Sequence, residues 1–327
     1  MTFDYSSIGF YTFDCLARPI AGIPEGGGVA FVPEVTLAVS GTAGSCAIAG
    51  AELGLKTLAV GALGNDQMAD WVLGRIVASG CDVSGMQRIA GLGTSTSIVL
   101  TRADGTRPYL HMKGASGELW LDDSQLDRAT DARIVHLGGT GLLDRLDGAP
   151  SALLLKRAQD RGAITTLDLI SGSPDCLKLV TPLLPHTSYF IPSIEEAAAL
   201  AGRFDREDVA HYFLDCGAGC VILTLGEHGV YYCHSDGTSF TIPAFEIDVV
   251  DTCGCGDAFD AGFAAALCHE LDAETAVRFA QATAALVATR LGSNAGLRSF
   301  DATWDFMNTT GTRSNHAATM QTDLVAV

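Results

Sequence analysis

Basic residues are scarce in this chain: 20 Lys and Arg stand against 38 Asp and Glu among 327 residues, a formal net charge of −18. An acidic surface of that size repels nucleic acid and anionic lipid, so no nucleic-acid or membrane partner is expected. A small anionic nucleotide stays open, because a local site can oppose the global sign. Export signals are missing too. Residues 1–13 hold no basic stretch followed by a long apolar core, which argues against a signal peptide. The longest uncharged stretch, 35–51, is rich in Gly, Ser and Thr and too weakly apolar to span a bilayer. Repeats and low-complexity linkers are absent, and the ten Cys are scattered. Without an export signal those thiols are expected to be free, in a reducing cytoplasm. The sequon Asn308-Thr309-Thr310 is then a chance match.

What the chain does have is apolar bulk and glycine: 48% hydrophobic residues against 18% charged, with 37 Gly. That balance suits a large buried sheet layered with Ala-rich helices and joined by tight turns. A length of 327 residues is within reach of one α/β domain. From about residue 130 onward, short apolar runs alternate with helical periods. Strands are read at 132–137, 164–168, 189–191 and 220–225, and helices at 149–161 and 193–201. The pair 56–61 and 68–79 fits the same plan. Such alternation predicts βαβ units in a doubly wound parallel sheet. Two stretches break it. Residues 15–39 lack a helical period and carry Pro19, Pro24, Pro33 and the glycines Gly26, Gly27 and Gly28. Residues 96–112 alternate polar and apolar around Ala103-Asp104-Gly105-Thr106, a hairpin signal. Both are read as a small β-structure that projects from the main sheet as a mobile lid. The expected organisation is one domain over 1–310, with its lid from about 15–39 and 96–112, and a disordered polar tail over 311–327.

The segment richest in chemistry is Asp251-Thr252-Cys253-Gly254-Cys255-Gly256-Asp257-Ala258-Phe259, followed by Gly262 and Phe263. Residues 246–250 read as extended and 257–269 as helical, so a Gly-flanked turn opens onto a helix N-terminus. Gly254 and Gly256 let the backbone approach a ligand in conformations closed to other residues. Unpaired N–H groups of the first turn, helped by the helix dipole, then face a phosphate. Asp257, at that terminus, is expected to stay ionised and to accept a proton from an attacking hydroxyl. Phosphoryl transfer asks mainly for positioning and charge neutralisation, so a modest base suffices. An isolated Gly-x-Gly-Asp would be an ordinary helix cap, since Asp is a favoured N-cap. The longer pattern around it separates the two readings.

Asp-Thr-x-Gly-x-Gly-Asp-Ala-Phe-x-Ala-Gly-Phe resembles the C-terminal signature of the ribokinase/PfkB family of carbohydrate kinases. Further pieces follow in the family's order. Val60-Gly61-Ala62-Leu63-Gly64-Asn65-Asp66, with Gly80-Cys81-Asp82-Val83, is similar to its N-terminal stretch. Thr224-Leu225-Gly226-Glu227-His228-Gly229 is similar to its nucleotide strand and turn. Phe279-Ala280-Gln281-Ala282-Thr283-Ala284-Ala285, ending at Thr289-Arg290-Leu291-Gly292, resembles its adenine-side helix. The resemblance implies a ribokinase-like α/β fold: a Rossmann-like, mostly parallel sheet flanked by helices, with a small β-sheet lid. It implies ATP and Mg²⁺ as co-substrates, with a monovalent cation left open, and phosphoryl transfer to an alcohol group of a sugar. By matching positions, Asp257 would be the catalytic base and Gly254, Cys255 and Gly256 the anion hole. Thr224, Gly226, Gly229 and Gln281 would lie near the nucleotide. Asp14, after a strand at 7–11, matches a family Asp that holds substrate hydroxyls. A carboxylate suits that task because it accepts two hydroxyl hydrogens at once, although a strand-end turn also favours Asp. Lids of the family often pair, so a homodimer through the lid is expected.

The chain departs from the family in three places. Where Gly-Gly is usually followed four residues later by an Asn that touches the acceptor, this chain has Ser40-Gly41-Thr42-Ala43-Gly44-Ser45. Gly41, Thr42 and Ser45 are the candidate acceptor contacts, with Gly41 and Gly44 keeping close backbone approach open. Pro192-Ser193-Ile194-Glu195-Glu196 matches an Asn-x-x-Glu element with Ser for Asn. The family's Glu helps organise Mg²⁺ through water, which makes Glu196 an indirect metal residue; Ser193 and Glu196 also spell a capping box. Cys253 and Cys255 stand where Thr and Ala are commoner. A helix N-terminus lowers a thiol's pKa, which would give reactive thiols protected by ATP; Cys is also among the residues most often buried, and two inert, buried thiols are the other reading. Zinc at this Cys-x-Cys is not expected, because no second Cys or His pair sits nearby at finger spacing. An NAD oxidoreductase needs Gly-x-Gly-x-x-Gly between its first strand and helix, and Gly217-Ala218-Gly219 instead precedes a strand. Two alternatives stand beside a sugar kinase: a nucleoside kinase of the same family, and a non-catalytic sugar- or nucleotide-sensing protein that kept the fold. The intact Asp257 loop argues against the sensor, which has no need of a base.

Overall fold

Two sheets of unequal size organise the chain in a computed structural model that describes residues 1–103, 105–170 and 173–313. Asp104 of the expected hairpin turn, and residues 314–327 of the expected tail, lie outside the described residues. In chain order the strands are β1 (Phe3–Gly9), β2 (Thr12–Ile20), β3 (Glu34–Ser40), β4 (Thr57–Gly64), β5 (Asp82–Ile89), β6 (Thr96–Arg102), β7 (Tyr109–Met112), β8 (Ala132–Thr140), β9 (Ile164–Leu169), β10 (Tyr189–Phe190), β11 (Cys220–Thr224), β12 (Val230–His234) and β13 (Ser239–Ile242). The helices are α1 (Thr42–Glu52), α2 (Gln67–Ala78), α3 (Asp123–Ala129), α4 (Ala149–Asp160), α5 (Leu177–Val180), α6 (Ile194–Ala201), α7 (Arg206–Asp215), α8 (Cys255–Cys268), α9 (Ala273–Ala288) and α10 (Phe300–Thr309).

The large sheet runs β13-β12-β11-β10-β9-β8-β1-β4-β5, parallel from β11 to β5 and antiparallel at the β11–β12–β13 edge. Its central strands β1, β4, β8 and β9 are buried along nearly their whole length, as a sheet covered on both faces requires. From β1 the chain builds outward to β4 and β5, then returns to lay β8 on the other side. Strand order therefore reverses between β1 and β8, and the crevice beyond their C-terminal ends is where such sheets place ligands. The antiparallel edge was not legible in the apolar pattern. A fully buried strand reads the same whichever way it runs.

Helix α8 lies deep, with residues 258–266 all buried. Its sequence explains how. Ala261, Ala264, Ala265 and Ala266 let neighbouring backbones come close, and a Cβ on Gly262 would meet Thr283 Oγ1 of α9 at 2.5 Å. Phe259 and Phe263 fill the remaining volume against Phe279, Ile222 and Tyr232. Full burial of each such ring contributes roughly 1.5–3 kcal/mol. The sequence expectation placed the start of this helix at Asp257; it begins at Cys255. Gly254 sits at φ 77°, ψ 4°, so the left-handed turn is complete one residue before the helix. Asp257 is consequently in the first turn, and not the N-cap.

The small sheet has the order β3-β2-β6-β7, with β2 and β6 parallel and both outer pairs antiparallel. It is the expected lid, and Asp14 lies within β2 instead of in a turn after β1. The lid's inner face packs Leu16, Ala38 and Val99 on Leu291 and Cys253. Its outer face leaves Val35, Leu37, Ile98 and Leu110 exposed. At the far end of the chain, Thr312 still bridges Phe245, so the described fold continues past the expected boundary at 310. Among the described residues, no helix is long and apolar enough to cross a membrane.

Candidate active site

Two helices begin at glycines in the crevice, and they differ in what becomes of their first N–H groups. At α1, Gly41 (φ 83°) is the N-cap, and the N–H groups of Ala43 and Gly44 donate to the Phe10 carbonyl at 3.2 Å each. That terminus is closed by the chain itself. At α8 no side chain caps the helix. Gly254 is pinned, since a Cβ there would meet the Ser293 carbonyl oxygen at 2.3 Å. Gly256, one turn into solvent, has nothing within 4 Å of its Cβ position. Cys255 N–H donates to the Thr252 carbonyl at 3.3 Å, while the positive dipole end of α8 at Gly256 meets open space, which suits an anion.

Asp257 completes that turn, and its carboxyl is raised from the ordinary 3.8 to about 7. Burial is the main cause. The Ser45 hydroxyl beside it favours the charged form, while the charges of Asp14 and Glu196 oppose it. The expectation that Asp257 is fully ionised is therefore corrected: near neutrality the group is poised between its two forms. Two further acids lie behind it. Asp168, at the end of β9, and Asp260, one turn along α8, are fully buried and sit well above the carboxylate range. Burial is the first cause for both, followed by mutual repulsion among Asp168, Asp260, Glu196 and Asp257.

The lid supplies the opposite wall. Asp14 is 4% exposed, and its Oδ1 has no hydrogen-bond partner. Burial raises its pKa, which the nearby hydroxyls of Thr12, Ser40 and Ser97 and the His111 ring pull back. His111 is held by Ser97 Oγ at 3.0 Å from Nδ1 and packs on Phe10 with ring centroids 5.6 Å apart. Thr42 Oγ1 is likewise buried without a partner, and the buried Ser45 hydroxyl has only the Asp257 carboxyl beside it. Buried polar atoms left without partners are a usual mark of a missing polar ligand. Asp14 and Ser45 both converge on Asp257. Arg107, between β6 and β7, reaches across to Asp251 at 3.5 Å. Asp251 in turn accepts from the N–H groups of Cys253 (3.1 Å) and Gly292 (3.2 Å), so one lid guanidinium is tied to the carboxylate that shapes the Gly254 loop.

The remaining candidates spread toward β11 and α9. Thr224 ends β11, and Ser193 bridges it. Gly226 (φ 54°) has open space at its Cβ position, whereas Gly229 (φ 99°) is pressed to 1.9 Å from the Ile242 carbonyl oxygen and is required by the β12–β13 packing. Gln281, on α9, is buried with Oε1 unpartnered. The capping box at α6 is formed: Ser193 N–H and Oγ–H both donate to Glu196 Oε2, at 3.1 and 2.6 Å. Oε1 stands outside the box, and burial raises the pKa of this carboxyl.

All ten cysteines are free. Reactive thiols in the loop are not what the structure gives. Burial pushes Cys253 and Cys255 up to about 12 each, outweighing the helix dipole and the Arg107 charge. Sequence reasoning also passed over Asp168, Asp251, Ser97, Arg107 and His111 as site residues. Asp168 carried a usable signal, because it ends a parallel strand at the ligand end of the sheet. The lid residues carried none, since only the tertiary fold brings them over the loop.

Comparison with known proteins places this geometry. The family model described as pfkB family carbohydrate kinase matches residues 12–299. Fructokinase-2 of Solanum lycopersicum is 26% identical over 244 residues, covering 72% of this chain and 74% of its own. Aminoimidazole riboside kinase of Salmonella typhimurium is 26% identical over 275 residues, covering 79% and 84%. Among solved structures, Arabidopsis thaliana ribokinase complexed with ribose and ATP superposes with a TM-score of 0.80 at 22% identity, over 94% of this chain and 99% of that one.

Proposed function

The chain belongs to the pfkB family of carbohydrate kinases, and from that premise we propose that it transfers the γ-phosphoryl group of ATP to an alcohol group of a sugar, with Asp257 as the base. The observation that carries the reading is Asp257 itself, poised near pH 7 in the uncapped first turn of α8. A base with that pKa is matched to its task at neutral pH.

The steps follow from the residues in place. Asp14 accepts hydrogens from acceptor hydroxyls and holds the reacting oxygen toward Asp257, with Ser45 and Thr42 as further contacts. Asp257 takes the hydroxyl proton as the oxygen attacks. The N–H groups of Gly254 and Gly256 bind the transferring phosphoryl, joined by Cys255 N–H once it leaves the Thr252 carbonyl to which it donates at 3.3 Å, and the α8 dipole offsets the phosphoryl charge. Thr224, Gly226 and Gln281 border the nucleotide, and the lid excludes water that would otherwise hydrolyse ATP. Open space at Gly256 and Gly226 and the unpartnered Gln281 Oε1 fit a nucleotide. For Mg²⁺ the test is donor chemistry, and Glu196 Oε1 beside other carboxylates fits a hard cation reached through water. When bound, Mg²⁺ neutralises phosphate charge.

The acceptor is a sugar in this reading, because Asp14, with a buried and unpartnered Oδ1, stands among the hydroxyls of Ser97 and Ser40 and the His111 ring in a polar wall suited to hydroxyl groups. The exposed apolar outer face of the lid, with Val35, Leu37, Ile98 and Leu110, suits pairing of two lids into a homodimer. The deciding experiment measures ADP release with ATP, Mg²⁺ and a panel of pentoses, hexoses, sugar acids and nucleosides, with and without K⁺. Turnover with a sugar and not with nucleosides is expected. Turnover with nucleosides alone moves the acceptor to that class. No acceptor-dependent ADP release across the panel refutes the kinase reading. Sedimentation of the same protein reads the dimer.

A further inference from the structure

Asp260 sits one turn behind Asp257 on α8, with both carboxylate oxygens buried and unpartnered among the described residues. β8 brings His136 to it and α1 brings Cys46. Cys46 and His136 are 0% exposed and Asp260 is 2% exposed. One ligand atom from each, sulfur, nitrogen and oxygen, lies within 4.8 Å of the other two. His136 Nδ1 is 3.0 Å from Thr166 Oγ1, and Nε2 has no partner. A hydroxyl can accept the Nδ1–H, which fixes the tautomer whose Nε2 lone pair is free. This is how metal-binding imidazoles are oriented. Among the described residues no hydrogen bond joins any two of the trio, so none of the three ligand atoms satisfies another.

We infer that Cys46, His136 and Asp260 bind one divalent transition-metal ion, of which Zn²⁺ fits best, behind the first turn of the catalytic helix. Thiolate, imidazole and carboxylate together select Zn²⁺ over Mg²⁺ or Ca²⁺, which prefer oxygen alone. The charges close: the ion's two positive charges meet one thiolate and one carboxylate, leaving a neutral set in an apolar interior. Binding forms sulfur–metal and oxygen–metal bonds and releases two protons to solvent, one from the Cys46 thiol and one from the Asp260 carboxyl. Side-chain adjustments of about 1 Å bring the three atoms to the roughly 2.0–2.3 Å that Zn²⁺ requires.

The ion would join α1, β8 and α8 at one point, next to the base. Cys46 Sγ now donates to the Asp257 carbonyl at 3.2 Å, and ligation would turn it away. These residues are therefore positioning residues, and the site is separate from the Mg²⁺ that accompanies ATP. Its existence does not depend on the kinase reading.

Chelator-treated protein titrated with Co²⁺ gives the test. About one Co²⁺ per chain with a sulfur-to-cobalt charge-transfer band is expected, displaced by Zn²⁺ and lost in Cys46→Ser. His136→Gln and Asp260→Asn should each weaken Co²⁺ binding at least tenfold, the low end of the cost of losing even a supporting partner of a metal ligand. No band at tenfold excess Co²⁺, or a band undiminished in Cys46→Ser, overturns the site. If Cys46→Ser does not fold, X-ray absorption of Zn²⁺-loaded wild type decides. One sulfur with imidazole supports the site, and a shell of nitrogen and oxygen alone overturns it.

Discussion

Replacing Asp257 by Asn should separate stability from activity in opposite directions. The wild-type carboxyl rises from 3.8 in the ordinary chain to about 7 in the fold, chiefly by burial. The folded state therefore holds this proton more tightly than the unfolded state does. Its contribution is fully present below about pH 3.8 and is lost as the pH climbs through 7. At 1.36 kcal/mol per pKa step the displacement amounts to ~4 kcal/mol above pH 7. Asp257 keeps partial exposure, so solvent screening lowers that to about 1–3 kcal/mol. Asn keeps the shape and drops the charge. Urea unfolding followed by circular dichroism should show Asp257→Asn more stable than wild type by about 1–3 kcal/mol at pH 8 and by no more than about 0.5 kcal/mol at pH 4. Turnover of the same variant should fall roughly 10²–10⁴-fold, the scale of a lost general base. A stability difference that stays flat from pH 4 to 8 would show that the carboxylate is not strained by its surroundings. Turnover within about threefold of wild type, far inside that scale, would remove Asp257 from the chemistry.

Wild-type kcat/KM should fall about tenfold per pH unit below pH ~7 and level off above it; a profile flat to pH 5 would mean that Asp257 ionises at its ordinary value. Asp14→Asn should raise KM for the acceptor at least about tenfold, the effect of one lost charge-assisted hydrogen bond, with KM for ATP nearly unchanged. An equal rise in both would move Asp14 out of the acceptor wall. Gly254→Ala drives a Cβ to 2.3 Å from the Ser293 carbonyl oxygen at φ 77°, and should cost at least about 1–3 kcal/mol in unfolding free energy. Gly256→Ala meets open space, so it should fold normally and lose ATP affinity; normal ATP kinetics in this variant would count against the anion cradle.

The catalytic loop was legible in the chain because its chemistry is local. Gly254, Gly256 and Asp257 lie within four consecutive residues, and a turn onto a helix needs no distant partner to be read. The two-residue slip in the start of α8 is local too, set by the left-handed Gly254. The lid was visible as a loss of helical period, since alternation of Val99 and Thr101 follows from strand geometry alone. The charge state of Asp257 was not legible. It depends first on burial, and then on Ser45 from α1, Asp14 from β2 and Glu196 from α6, which only the packed sheet brings to one end. The thiols show the same division. A helix dipole can be inferred from sequence, but the burial that overrides it at Cys253 and Cys255 is tertiary, and at Cys253 it comes from Leu16, Ala38, Val99 and Leu291. Cys46, His136 and Asp260 likewise meet only where α1, β8 and α8 cross. Hydrogen-bonded turns and helix ends are short-range and leave their mark on neighbouring residues, whereas desolvation and Coulomb repulsion are set by whatever the fold places within a few ångströms.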